Sequence, residues 1–182
     1  MNIFVRLVAL DDLSGPKVRY YSVQLQRGEE DWGIPEVQDF FERHEKEVHL
    51  GESLEEILAW LDAIAWTTGA NLEFFRDERS VWALPPERGP RNRLGRKLEL
   101  EFQESNSLRL YLIRLNESIV ILLNGGEKTT RQAQECPNVK PYFIEAQKIA
   151  KAIDQALIDR EIAFDEMQTD LTFDQNLEIP LP

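Results

Sequence analysis

The sequence predicts an α+β fold: a mainly antiparallel, twisted sheet carrying a helical hairpin and a C-terminal helix. Three observations predict it. Apolar residues alternate with period two over residues 1–10 and 18–26, and three apolar segments lie close together over residues 98–124. Two adjacent segments, 35–50 and 53–69, carry apolar residues at helical spacing. A third amphipathic segment, longer than either, spans residues 141–160.

MNIFVRLVAL and VRYYSVQLQ read as strands, and the Ser14-Gly15-Pro16 between them reads as a turn. Pro35 suits the first turn of a helix whose Val37, Phe40, Phe41, His44 and Val48 share a face, with Gly51 ending it. Ser53 and Glu56 have the spacing of a capping box. The helix they open carries a stripe of Leu54, Ile57, Leu58, Leu61, Ile64 and Ala65, with Gly69 as its C′ residue. NLEFF and SVWAL read as short strands or an extended connector. Residues 85–97, PPERGPRNRLGRK, read as a basic mobile loop. LELEFQ, SLRLYLIRL and SIVILLN follow with hairpin-length separators, which predicts an antiparallel meander. SIVILL is continuously apolar and is expected to be the central strand, buried on both faces. Residues 1–160 form the predicted domain, and 161–182 an acidic tail, flexible or docked along a surface.

Net charge is −12 and unevenly spread. Residues 1–90 carry 9 basic and 18 acidic groups, residues 91–131 carry 8 and 5, and residues 132–182 carry 4 and 10. A chain of this sign repels nucleic acid at long range, so any contact with it must come from the central basic island. No apolar run approaches the roughly 20 residues of a membrane span. The N-terminus lacks a basic region before its apolar stretch, and Cys136 is a single cysteine. Both fit a soluble cytoplasmic protein.

Most familiar chemistries fail on spacing. His44 and His49 in HEKEVH are five apart, about 140° around a helix, so they do not share a metal, and no metal site is expected. VILLNGGEKTT places Glu127 between the second glycine and Lys128, unlike a phosphate loop. A GxSxG elbow is absent. Glu99 and Glu101 are two apart on one strand face, a pairing that a solvated face explains. The basic island remains: Arg91, Arg93, Arg96, Lys97, Arg109, Arg114, Lys128 and Arg131. The odd spacing of Arg109 and Arg114 puts them on opposite faces, leaving Arg109 to share a surface with Lys128.

LRLYLIRLNESIVILLNGGEKTT (108–130) resembles the RelE/HigB superfamily of toxin–antitoxin modules, whose last core strand ends in a similar Leu-Leu-x-Gly-Gly-acid-Lys-Ser/Thr segment before a helix. With the upstream helices the resemblance covers about residues 18–160. It implies a RelE-like α+β fold whose active members are ribosome-dependent mRNA endoribonucleases, without metal or cofactor, paired with an antitoxin protein. Carried over by position, Lys128 matches the family's lysine and Arg109 a basic residue of the preceding strand; these are the expected catalytic pair. Arg93 and Arg131 are expected to hold RNA more loosely. The strand before reads LELEF where active members carry an arginine. Two readings follow: a toxin-like nuclease whose acidic tail wraps its basic face, or a non-catalytic protein-binding module on the same fold.

Overall fold

The computed structural model describes residues 1–87 and 105–182. Strands β1 (Ile3–Ala9) and β2 (Arg19–Arg27) form an antiparallel hairpin, with Ile3 opposite Arg27 and Ala9 opposite Tyr21. The Ser14 hydroxyl holds the connecting loop, donating to the Leu10 carbonyl at 2.8 Å and accepting from the Tyr20 N–H at 2.9 Å. Helices α1 (Glu36–Glu45) and α2 (Gly51–Ala63) follow, then β3 (Arg76–Glu78), β4 (Val81–Leu84), β5 (Leu108–Arg114), β6 (Ile119–Glu127) and helix α3 (Lys140–Ile158). The chain closes with β7 (Ile162–Phe164), β8 (Leu171–Phe173) and β9 (Ile179–Pro180).

Among the described residues seven strands make one sheet in the order β3-β4-β5-β6-β2-β1-β9, and β7 pairs with β8 alone. Each pairing among these strands is antiparallel except β2 with β6, so the sheet is mixed. Alternation along β5 sorts the two cores. Leu108, Leu110 and Leu112 pack with Phe40, Ile57 and Trp60 under α1 and α2, while Tyr111 and Ile113 pack with Phe143, Ile149 and Ile153 under α3. Helices therefore cover both faces. Every residue of β6 from Ile119 to Gly126 is buried, as its continuous apolar run requires.

Some expectations are corrected. The capping box does not form: α2 begins at Gly51, continuous with the turn of Val48–Leu50, which places Ser53 inside the helix. Glu56 is buried and its carboxylate accepts from the Asn106 amide at 2.7 Å, while the Ser53 carbonyl accepts from the same amide at 2.9 Å. Gly69 does end the helical segment, at φ +80°, a conformation open to glycine. The strand next to β5 on its outer side is β4, with Trp82 opposite Leu112. The LELEFQ segment lies outside the described residues.

Residues 161–182 do not wrap the Arg109–Lys128 rim. Ile162, Leu171 and Ile179 are buried in the core under α3, and Ile179 pairs with Val5 at the sheet edge. Asp170 hydrogen-bonds the Tyr21 hydroxyl and lies 3.7 Å from the Arg19 guanidinium, at the opposite end of β6 from Lys128. Ile162, Leu171 and Ile179 give no periodic signal in the sequence, yet each is buried. Among the described residues, no helix is long and apolar enough to cross a membrane.

Candidate functional site

The stretch VILLNGGEKTT owes its glycines to packing. Leu112 pairs with Leu122 but Leu110 pairs with Gly125, so Tyr111 alone opposes Leu123 and Asn124. This is a β-bulge, which bends the strand and re-aims the side chains beyond it. A β-carbon on Gly125 would lie 1.8 Å from the Arg109 carbonyl oxygen, and one on Gly126 would lie 2.6 Å from that of Asn138. Both positions admit only glycine without a backbone shift. Beyond the bulge the ladder resumes, and the Lys128 N–H donates to the Ser107 carbonyl at 2.7 Å.

That ladder brings two of the sequence-selected residues together. Arg109 is only 8% exposed, and its Nη1 donates to the carbonyls of Asn106 at 2.6 Å and Leu108 at 2.7 Å. Lys128 is half-buried at the strand end. Burial lowers its pKa from the usual lysine value, and the charges of Arg109 and Arg76 add to that effect against Glu78. Arg131 is exposed in the following loop, and Arg93 lies outside the described residues. Arg114 faces the other side of the sheet, where its Nε donates to the Ala70 carbonyl at 2.6 Å.

A second polar constellation, absent from the sequence reading, surrounds Asn124. Strands β2 and β6 pair only from Arg19–Ile119 to Ser22–Leu122, and α1 enters where they part. The Ser22 hydroxyl donates to the Leu122 carbonyl at 2.8 Å and accepts from the Val37 N–H at 3.2 Å. The buried Asn124 amide donates to Glu36 at 2.9 Å and Asp39 at 2.8 Å. Its oxygen accepts from Arg43 at 2.6 Å and from the Gly125 N–H at 2.8 Å. Arg43 also donates to Asp39 and to the Gly125 carbonyl, both at 2.8 Å, and its guanidinium lies 4.5 Å from the Tyr142 ring centre. Glu36, Asp39 and Arg43 recur at i, i+3 and i+7 on one face of α1, the signal that could have flagged the group.

The titration of this cluster follows from its geometry. Burial pushes the Glu36 carboxyl up to about 7; the Asn124 hydrogen bond opposes, and the Glu145 and Asp39 charges reinforce the rise. Burial would raise Asp39 too, but hydrogen bonds from Asn124 and Arg43 outweigh it and hold that carboxyl low. Beside the cluster opens a cleft of about 870 Å³ lined by the ends of β2 and β6. Cations Arg27, Arg43 and Lys46 share it with acids Glu47, Glu127 and Glu145, so its charge does not select an anion. His44 is buried against the Phe40 carbonyl at 2.7 Å, while His49 reaches Glu127 at 3.3 Å, so the two rings have separate partners. Among the described residues no group of three or more His, Cys, Asp or Glu is placed to hold a metal ion.

No protein-family model, curated protein or solved structure matches this chain.

Proposed function

We propose that this chain is a RelE/HigB-like toxin-type protein that cuts mRNA on the ribosome without metal, with Lys128 at the scissile phosphate. One observation supports the reading above the others: the bulge and the Gly-Gly pair present a half-buried amine of lowered pKa at the strand end, backed by Arg109 and Arg76. Metal-free cleavage needs a base to take the proton of the attacking 2′-hydroxyl, a cation to stabilise the crowded phosphorane and an acid to protonate the leaving oxygen. Lys128 is assigned the last two roles and water the first. Lys128 suits both tasks, since a lowered pKa makes the ammonium a better proton donor near neutrality. Arg109 takes a different part from the one expected of it. With Nη1 spent on two carbonyls, it is a positioning residue whose fixed charge acts through Lys128.

The test is primer extension on an mRNA during translation in vitro, with the full-length chain and its Lys128→Ala variant. Codon-phased cuts by the parent, falling at least about 100-fold in the variant, are expected if Lys128 serves the transition state. Equal cutting by both would overturn the assignment of Lys128. No cutting by a folded parent would favour the second reading, a non-catalytic protein-binding module on an α+β fold. Two observations favour that reading: the burial of Arg109 against the Asn106 and Leu108 carbonyls and the net charge of −12.

A further inference from the structure

On the face opposite Lys128, the loop after β1 and helices α1 and α2 enclose an open groove of about 590 Å³. Its floor is apolar: Leu10, Leu13, Val37, Phe41, Leu54 and Leu58. Leu58, which extends the buried stripe of α2, is 39% exposed along the groove. The charged residues that line the groove, Asp11, Asp12 and Glu45, are all acidic, with Asp11 paired to Arg19 at 2.8 Å. Glu55 and Asp62 are exposed on α2, one turn to either side of Leu58 on the same helix surface.

From this combination we infer that the groove docks a basic amphipathic helix of another protein. Leucine-type side chains of that helix would fill the floor, and its lysines or arginines would meet the acidic rim. Charge complementarity selects this occupant. RNA and anionic lipid surfaces meet the same repulsion at the rim. A second copy would bring another acid-rimmed hairpin against the first, within a segment that carries 9 basic and 18 acidic residues. Apolar contact provides affinity and the rim provides sign and orientation, the usual division in helix-in-groove recognition. The site shares no residue with the Lys128 rim, so it stands or falls independently of the nuclease reading.

Fluorescence anisotropy of a labelled helical peptide, with leucines at i, i+3, i+4 and i+7 and lysines elsewhere, tests the inference on the full-length chain. Saturable binding is expected, weakened about tenfold by Leu58→Gln and again by Asp12→Lys with Glu45→Lys. Both variants alter exposed groups and should keep the parental melting temperature. A peptide with glutamates for lysines should not bind, and one with serines for leucines should bind at least about tenfold more weakly. The idea fails if no peptide binds, if Leu58→Gln leaves the affinity unchanged, or if the serine peptide binds as tightly as the leucine one. Concentration-dependent dimerisation abolished by Leu58→Gln would assign the groove to a second copy and overturn the proposal as well.

Discussion

Asn124 and Lys128 stand four residues apart at the end of β6, in opposite surroundings. Asn124 is buried and every polar hydrogen and lone-pair direction it uses is matched, by Glu36, Asp39, Arg43 and the Gly125 N–H. Lys128 is half exposed, with a lowered pKa and like charges behind it. The first arrangement locks α1 into the gap where β2 and β6 part. The second keeps a cation where its neighbours disfavour it, a cost that a purely structural lysine would avoid by turning outward. Buried polar groups that satisfy one another specify a fold; a poorly accommodated charge at a rim is the better candidate for chemistry.

The contrast predicts where stability is lost. Gly125→Ala should have the largest effect, because its β-carbon would overlap the Arg109 carbonyl and force the bulge open. A loss of more than about 4 kcal/mol in urea unfolding is expected. A loss below about 1 kcal/mol would mean that the strand relaxes freely and that the bulge does not set the positions beyond it. Asn124→Ala comes next. It leaves Glu36 without its donor and Asp39 with Arg43 alone, and it removes an acceptor from Arg43, at a cost of about 3 kcal/mol by the same measurement.

Much of the architecture was legible. The central strand, the helical hairpin, the long C-terminal helix and the opposed faces of Arg109 and Arg114 all follow from periods of two and 3.6. The parallel pairing of β2 with β6 was not legible, because nothing in a strand's composition names its neighbour across a long connection. Nor was the Asn124 hub, whose partners are 81 to 88 residues away. Glu36 and Asp39 are acids in the first turn of α1, and the parting of the strands turns them inward. The capping box failed because α2 begins before Ser53, and Asn106, remote in sequence, takes the Glu56 carboxylate instead.

Glu36 sharpens the contrast through pH. Its carboxyl is raised to about 7 in the folded chain from an ordinary 4.5, so the folded state holds the proton more tightly than the unfolded state. This contribution is fully present below about pH 4.5 and is lost as pH rises to about 7, after which it stays lost. The loss is on the order of 3 kcal/mol. Glu36→Gln keeps an acceptor for Asn124 without the charge. Its stability should therefore lack this fall across that window, and above pH 7 it should exceed the parent by about 1–2 kcal/mol. Parallel pH profiles for the two proteins would show that Glu36 does not titrate in this range.

Lys128 should respond least, and in the opposite sense to Asn124. Its folded pKa lies below the ordinary 10.5, so the folded state disfavours the charged form. That penalty is present at neutral pH and is relieved as pH rises through the folded value toward 10.5. Lys128→Ala removes the penalty together with some packing of the side-chain stem. The expected change is within about 0.5 kcal/mol, on the stabilising side at pH 7 and fading by pH 10. Urea titrations at the two pH values read it directly. A loss comparable to that of Asn124→Ala would place Lys128 among the residues that hold the strand end together. Any fall in RNA cleavage by the variant would then report damage to the fold rather than a missing proton donor. Retained stability with lost cleavage would separate the two roles, because only the proposed cleavage would depend on a charge that the fold itself resists.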